Sequence, residues 1–332
     1  MNILLIRNDK LGDFILTWPA LALLKAAIPQ ARIAVLVAPF TTPLAALLPW
    51  LDEVISDNFS STSTLAEALK SREFTVAITL NSTPRTALAL RQAKIPYRLA
   101  PATKWVQILY NQRLIQRRSR SLKPEYAYNC DLISRFLTDH HLPAHALGNQ
   151  NDWLPPTLQR PLFSPPVEKG DSTPIAVLIH PGSGGSASTL SACQYGWLID
   201  QLVTQGMSAI YLLAGPGERL LAESVKRASK NGAAKIIEPA TLPELVKVLA
   251  KTALFIGGSS GPLHLAGALN IATIAFYPGH RSATALRWQT VNAPNRRLAI
   301  SAPGKHVNMI DLNAHWPTIA AFIKQQNLAE VS

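Results

Sequence analysis

Three glycine-rich segments, each placed after an apolar run, have the pattern that best fits phosphate binding. They read Gly-Gly-Ser-Ser-Gly-Pro-Leu-His at residues 257–264, His-Pro-Gly-Ser-Gly-Gly-Ser at 180–186 and Ala-Gly-Pro-Gly-Glu at 214–218. Small residues let a ligand approach the backbone, and a following helix offers free N–H groups and the positive end of its dipole to an anion. For the first segment taken alone, the alternative is a plain turn with His264 packed in the helix. The neighbouring strands favour phosphate binding, because they place the loop at the carboxyl end of a parallel strand.

Two carboxylates adjoin turns of this kind. Asp13 follows the first apolar run and Gly12, at or beside the start of a helix. We expect the helix dipole to lower the pKa of Asp13 and keep it ionised, so that it can accept a proton as a general base. The alternative is that Asp13 only caps the helix. Glu218 is predicted with equal weight to accept hydrogen bonds from sugar hydroxyls or to begin a helix.

Short apolar runs alternate with amphipathic stretches in both halves of the chain, which is typical of parallel sheets covered by helices. The predicted strands are residues 3–6, 32–37, 76–80, 175–179, 208–214, 235–237, 253–256 and 273–276. The predicted helices are residues 14–27, 41–50, 86–92, 195–205, 218–230, 242–251, 263–269 and 316–326.

The proline content separates two domains. Six prolines lie between residues 153 and 174, too many for a central strand or a long helix. We therefore expect an α/β protein with doubly wound domains at residues 1–152 and 175–332, joined by a linker at 153–174 and facing a central cleft. The terminal helix could pack back on the first domain.

Composition limits the function classes. The chain has 332 residues, 48% apolar residues and a net charge of +12, so an anionic partner is expected. Cys130 and Cys193 stand far apart, which predicts neither a disulfide framework nor a metal site and suits the cytoplasm. The N-terminus reads as a buried strand instead of a signal peptide. No apolar run approaches the about 20 residues of a membrane helix.

The chain resembles the ADP-heptose:lipopolysaccharide heptosyltransferase family, glycosyltransferase family 9, through the order and spacing of three motifs. They are the strand-Gly-Asp-helix string at residues 7–20, the His-Pro-Gly-Ser loop at 180–183 and the Ser-Gly-Pro-Leu-His-Leu-Ala-Gly-Ala-Leu segment at 260–269. Each motif is weak alone, and the ordered set covers nearly the whole chain. The resemblance implies a GT-B fold with two Rossmann-like domains. The N-terminal one binds the lipopolysaccharide-core acceptor, and the C-terminal one binds ADP-heptose. It implies an inverting, metal-independent sugar transfer without a cofactor, at the inner face of the inner membrane.

The resemblance also implies roles for individual residues. Asp13 matches the catalytic base. The residues implied in donor binding, through phosphate, ribose or sugar, adenine and diphosphate contacts, are Gly182, Ser183, Glu218, Ala240, Thr241, Ser259, Ser260, Gly261 and His264. The residues expected to bind the acceptor are Lys10, Arg98, Arg113, Arg117, Arg118 and Arg120.

Two departures from the family pattern leave alternatives open. Ser259 stands where the family usually has Asp, and Leu190 or a neighbour replaces the usual Lys that would neutralise the leaving diphosphate. Lys10, Arg281 and Arg287 are candidate substitutes for that lysine. The alternatives are a GT-B enzyme with another nucleotide-sugar donor, or an inactive member of the family that binds a membrane or a partner protein.

The segment from residue 74 to residue 124 contains ten Lys and Arg residues and no Asp or Glu. This composition favours docking on an anionic membrane surface, with Trp105 as the residue expected to touch lipid. The alternative is a solvated basic surface without a partner. No nucleic-acid-binding signature accompanies the charge, so no nucleic-acid partner is predicted. His141 and His145 have a spacing that could bind a metal on a helix, but Pro143 argues against one and no metal is predicted.

Overall fold

The computed structural model describes residues 1–103, 105–143, 175–185 and 188–327. The chain divides into two compact units, residues 1–155 and 156–332. The predicted linker at 153–174 lies outside the described residues, as does His145.

The first unit contains a six-stranded parallel sheet in the order β3-β2-β1-β4-β5-β6. Its strands are β1 Asn2–Arg7, β2 Arg32–Val37, β3 Glu53–Ser56, β4 Val76–Thr79, β5 Tyr97–Pro101 and β6 Gln112–Leu114. Its helices are α1 Leu11–Ile15, α2 Trp18–Ala27, α3 Thr42–Ala45, α4 Thr62–Lys70, α5 Pro84–Gln92 and α6 Glu125–Asp139.

The second unit repeats this architecture, with the strand order β12-β11-β10-β7-β8-β9 and every pair parallel. Its strands are β7 Ile175–His180, β8 Ile210–Leu213, β9 Lys235–Ile237, β10 Thr252–Gly258, β11 Ala272–Tyr277 and β12 Arg297–Ser301. Its helices are α7 Ala192–Thr204, α8 Arg219–Ala228, α9 Leu242–Ala250, α10 Gly261–Ala268 and α11 Leu312–Gln325. The buried residues of α11, among them Ile319 and Ile323, belong to the core of this second unit.

The predicted helix 14–27 is divided in the structure. Pro19 stands in the first turn of α2, and its ring prevents the continuous helix from passing through it, since proline clashes with the carbonyl four residues earlier. The Thr17 hydroxyl donates to the Phe14 carbonyl oxygen at 2.6 Å and closes the end of α1. Asp13 therefore lies on a single helical turn directly after β1.

Candidate functional site

Asp13 lies where the first unit's central strand ends. Arg7 is the last residue of β1, and its Nη2 donates to Oδ1 of Asp13. The N-cap of α1 is Lys10, so Asp13 is not the capping residue. The Asp13 side chain is 14% exposed, which leaves it accessible at the carboxyl edge of the sheet.

Arg7 is surrounded by carboxylates. Its side chain is 5% exposed, and its Nε donates to Oδ1 of Asp9 at 2.8 Å. Its Nη1 lies 3.7 Å from Oε1 of Glu125, the first residue of α6, and makes no hydrogen bond among the described residues. Arg118 Nη1 donates to the same Glu125 oxygen at 2.6 Å. We call Arg7, Asp9, Asp13 and Glu125 the Asp13 cluster.

Burial raises the pKa of Asp13 to about 6, and the negative charges of Asp9 and Glu125 act in the same direction, while Arg7 and Lys10 oppose them. The expectation that the helix dipole would lower this pKa is wrong. The dipole of the five-residue α1 is small, and removing the carboxylate from water has a larger effect. Near neutral pH the Asp13 carboxyl can both release and accept a proton, as a general base requires.

The structure separates the residues expected to bind the acceptor. Arg118 is committed to the protein interior, where its Nε and Nη2 donate to Oε1 of Gln116 at 2.9 and 2.7 Å. Arg98 is partly buried, with Nη1 donating to the Ile95 carbonyl oxygen at 2.6 Å, and its pKa is lowered by burial and by Arg91. The exposed members of the set are Lys10, Arg113, Arg117 and Arg120.

Large apolar side chains near these arginines in the sequence are also exposed. Trp105 and Ile108 are each 68% exposed and stand three residues apart in the 3-10 helix Trp105–Leu109, a spacing that places them on one side of it. Ile115 follows β6 and is 77% exposed, and Leu122 is 71% exposed. We call these four residues, with Arg113, Arg117 and Arg120, the basic apolar surface.

In the second unit, the loops after β7, β8 and β10 lie side by side because these strands are neighbours in the sheet. We call residues 180–185, 214–218 and 259–264 the three-loop site. His180, which ends the middle strand β7, connects the other two loops: its Nε2 lies 2.9 Å from Oε2 of Glu218 and its Nδ1 lies 3.2 Å from Oγ of Ser260. The three segments that the sequence singled out thus meet at one edge of the sheet.

Glu218 fastens these loops together. Its Oε1 accepts from the Gly184 N–H and its Oε2 from the Gly215 N–H, each at 3.0 Å. The hydrogen bond from His180 is the largest influence on its pKa, which falls to about 2 despite partial burial. Glu218 stands at the N-cap of α8 but its side chain makes no capping hydrogen bond. The carboxylate therefore braces the loops from within, an arrangement that neither sequence alternative described.

Gly182 must be a glycine in this arrangement. A Cβ at this position would lie 2.1 Å from Oε1 of Glu218, which is far closer than van der Waals contact. Gly184 adopts φ +54, a left-handed conformation in which its N–H reaches Glu218.

The N-terminus of α10 is left without its usual side-chain cap. Ser260 occupies the N-cap with extended backbone, but its hydroxyl makes no capping hydrogen bond and lies instead against His180. The first N–H groups of a helix have no partner within the helix. His264 is buried, which lowers its pKa to about 4 and keeps the imidazole neutral, and its Nδ1 has no hydrogen-bond partner among the described residues.

The remaining donor candidates lie at the same edge of the second sheet. Thr241 caps α9, with its side chain accepting from the Glu244 N–H at 3.3 Å, and the Ala240 N–H donates to Oε2 of Glu244 at 2.8 Å. Ser183 and Ser259 are half-buried. Leu190, near the place of the family lysine, is packed in the core.

Among the described residues, no group of three or more His, Cys, Asp and Glu side chains is arranged to hold a metal ion. None of the helices within the described ranges has both the length and the apolar character needed to cross a membrane.

The sequence model of glycosyltransferase family 9, the heptosyltransferase family, matches residues 62–298, which is more than two thirds of the 332 residues. The chain belongs to glycosyltransferase family 9. This match confirms the resemblance identified from the motifs. It also confirms the expectation that the protein is a glycosyltransferase enzyme.

Relatives of this family 9 chain agree with the assignment. A Haemophilus influenzae protein provisionally described as a glycosyltransferase is 38% identical over 345 residues, covering 97% of each chain. The structure of E. coli ADP-heptose LPS heptosyltransferase II has a TM-score of 0.76 at 19% identity, covering 98% of this chain and 100% of that one. E. coli heptosyltransferase WaaC with ADP-2-deoxy-2-fluoro heptose has a TM-score of 0.73 at 17% identity, covering 97% and 99%. At these identities the two likenesses show the fold, and the expected GT-B fold is confirmed.

Sequence reasoning assigned no role to Arg7, Glu125 or His180. Arg7 and His180 each end a central strand directly before a turn, and that position could have marked them. Glu125 is the first acidic residue after the long basic segment, but nothing in the pattern pairs it with Arg7. Only the fold brings these side chains into contact.

Proposed function

We propose that this family 9 enzyme is an inverting glycosyltransferase that moves heptose or a related sugar from an ADP-sugar to a lipopolysaccharide-core acceptor. The observation that carries the proposal is the Asp13 carboxyl, held by Arg7 at the end of β1 with a pKa of about 6. A carboxyl with this pKa suits proton transfer at neutral pH.

Asp13 is the proposed base of a single displacement. The acceptor hydroxyl oxygen forms a bond to the anomeric carbon while the bond from that carbon to the diphosphate oxygen breaks. The hydroxyl proton goes to the Asp13 carboxylate, and the electron pair of the broken bond leaves with the nucleoside diphosphate. The new glycosidic bond therefore has inverted configuration. The proposed transfer is metal-independent.

The three-loop site is the proposed donor site. The free N–H groups at the start of α10 and the adjacent small residues Ser259 and Gly261 would receive the diphosphate. Gly182 and Ser183 would approach it from the next loop, with Ala240 and Thr241 near the adenine. The two E. coli structures support an ADP-linked sugar, since one is named for ADP-heptose and the other contains an ADP-heptose analogue.

The hydrogen bonds of Glu218 within the protein limit how many more it could accept from a ligand. Both of its carboxylate oxygens already accept hydrogen bonds from the protein. Each oxygen has more than one lone pair, so a ribose or sugar hydroxyl could still donate to it. We therefore propose that Glu218 contacts the donor while it holds the loops.

The basic apolar surface is the proposed docking surface for the acceptor and the membrane. Exposed arginines attract anionic headgroups, while Trp105, Ile108, Ile115 and Leu122 bring apolar area to the interface. Lys10 and the exposed arginines are the proposed acceptor contacts. Arg98 and Arg118 would act indirectly, because both are engaged with the protein. The proposed location is cytoplasmic, on the inner face of the inner membrane.

An assay of sugar transfer from several nucleotide sugars tests the proposed function. The purified chain is incubated with heptose-deficient lipopolysaccharide core and, in parallel, with ADP-heptose, UDP-sugars and GDP-sugars, and the product is analysed by mass spectrometry and by NMR at the anomeric carbon. We expect transfer from ADP-heptose with inversion. Transfer from a UDP-sugar or GDP-sugar alone would show another donor. No nucleotide binding together with strong binding to anionic vesicles would show an inactive family member.

A further inference from the structure

The His180 side chain joins all three parts of the three-loop site. It ends β7, it is 3% exposed, and its two ring nitrogens contact Glu218 and Ser260 in the loops on either side. A Cβ on Gly257 would lie 2.9 Å from the His180 carbonyl oxygen, so the neighbouring strand also packs closely against it. A ring held in this way has little freedom to rotate.

The hydrogen positions around His180 follow from the charge of Glu218. With a pKa of about 2, Glu218 is ionised and can only accept, so Nε2 of His180 must carry a hydrogen and donate it. When the ring is neutral, Nδ1 is an acceptor and the Ser260 hydroxyl donates to it. In that form the hydroxyl hydrogen of Ser260 is directed at His180 and is unavailable to a ligand at the start of α10.

Positive charge is scarce in the segments that form this site. Residues 180–190, 214–218 and 257–264 contain no Lys or Arg, and their only basic side chains are His180 and His264. Burial lowers the pKa of His264 to about 4, which makes it a poor cation at neutral pH. A diphosphate placed here would add negative charge near the ionised Glu218, and such charge favours protonation of a nearby imidazole.

Resting on the proposed donor site, we propose that His180 is a positioning residue that takes up one proton from solvent when the donor diphosphate binds. Nδ1 of the imidazolium then donates to Oγ of Ser260, and the Ser260 hydroxyl hydrogen turns to a phosphate oxygen. The Nε2 hydrogen remains on Glu218. A line of hydrogen bonds from carboxylate through imidazolium and hydroxyl to phosphate brings a positive charge to the diphosphate.

The other groups around His180 are compatible with this change. Glu218, in the loop before α8, stabilises an imidazolium. Tyr195 of α7 has its hydroxyl 3.5 Å from the His180 carbonyl oxygen and stays protonated, because burial raises its pKa. His264 of α10 remains neutral.

Calorimetric titration of the full chain with ADP-glucose tests the proposal. The diphosphate of this probe is esterified on both sides and has no group that titrates near neutral pH. Titrations at pH 7.5 in Tris and in HEPES, whose ionisation enthalpies differ, measure the protons taken up. We expect net proton uptake, and an affinity for ADP-glucose that falls as the pH rises, by at most about tenfold per pH unit for one linked proton.

Four variants test whether His180 is the group that takes up the proton. His180→Gln and Ser260→Ala are expected to bind ADP-glucose more weakly and with little proton uptake, whereas Ser260→Thr, which keeps the hydroxyl, retains both. His315→Gln, in α11, is the matched histidine control and should behave as the wild type. Thermal unfolding of each variant checks that it is folded.

The outcomes separate this inference from the proposed function. Binding of ADP-glucose without proton uptake, or uptake that persists in folded His180→Gln or Ser260→Ala, would overturn the role of His180 and leave the donor site standing. A wild-type chain that binds neither ADP-glucose nor ADP at millimolar concentration would overturn both.

Discussion

Asp13 and Glu218 are two carboxylates that each follow a strand of a parallel sheet, and their pKa values move in opposite directions. The pKa of Asp13 rises to about 6, mainly through burial, while the pKa of Glu218 falls to about 2, mainly through its hydrogen bond with His180. Asp13 shares one arginine with two other carboxylates. Glu218 accepts two backbone N–H groups and an imidazole N–H.

Under the proposed function, this difference suits the two units to separate tasks. A carboxyl that is balanced between its protonated and ionised forms near neutral pH can take a proton during a reaction. A carboxylate that stays ionised down to low pH is a fixed acceptor that organises loops and receives hydroxyls. The Asp13 cluster is suited to proton transfer, and the three-loop site is suited to holding an anion beside a rigid support.

The largest expected effect follows removal of the Asp13 charge. Asp13→Asn should lower kcat by about 10²–10⁴, because an amide cannot accept the acceptor proton, while ADP binding measured by calorimetry stays unchanged. Asp9→Asn is the matched control, since Asp9 also accepts from Arg7, and it should keep most of the activity. A wild-type kcat in Asp13→Asn would show that Asp13 is not the general base, and the contrast between a proton-transferring and a structural carboxylate would be wrong.

Arg7 is the next most sensitive position. Arg7→Met should lower the free energy of unfolding by about 3–5 kcal/mol, because it leaves buried carboxylates without their cation. The pKa of Asp13 should rise further, so the acidic limb of the pH–rate profile should move to higher pH. Urea unfolding and a pH–rate profile measure the two effects.

The exposed Arg91 gives the control for this experiment, and Arg91→Met should unfold like the wild type. An unchanged acidic limb in Arg7→Met would show that Arg7 does not set the ionisation of Asp13.

A smaller effect, on ADP affinity, is expected when a larger side chain at residue 182 displaces the Glu218 carboxylate. Gly182→Ala places a Cβ 2.1 Å from Oε1 of Glu218, so the carboxylate must leave its three donors. We expect ADP affinity to fall by about tenfold, which corresponds to about 1.4 kcal/mol. Gly304→Ala, whose Cβ would lie 3.7 Å from Sδ of Met309, should bind ADP normally. Equal affinities for the two variants would contradict the bracing role of Glu218.

The stability of the fold should also depend on pH in opposite directions at the two carboxylates. A raised pKa stabilises the fold below the unfolded value of Asp13, near 3.8, and this contribution is lost as pH rises through about 6. A lowered pKa stabilises the fold above the unfolded value of Glu218, near 4.5, and this contribution is lost as pH falls towards about 2.

Urea unfolding over this pH range measures both signs. The stability of wild type relative to Asp13→Asn should decrease as pH rises from 4 to 6, and that of wild type relative to Glu218→Gln should decrease as pH falls below 4.5. The same sign in both comparisons would remove the contrast between the two sites.

Local sequence predicted much of the fold because its signals are local. Apolar runs and small-residue turns identified β1, β7 and β10, and the prediction of strand residues 235–237 matches β9. The sequence prediction did not identify β5 and β6 in the basic segment, because these short strands lack a clear alternation of apolar and polar residues. It also missed α6, which follows them. Long-range sheet pairing and packing decide such elements more than propensity does.

The sequence alone determined the alternation of strands and helices in both halves of the chain, the family, and the position of Asp13 after the first strand, since each depends on residue types at short spacing. The tertiary structure decided what the charged residues do. It placed Glu125 beside Arg7, committed Arg118 to the interior and joined His180 to Glu218 and Ser260. The physical reason is that desolvation and Coulomb interactions depend on distances between distant segments, which only the folded chain defines.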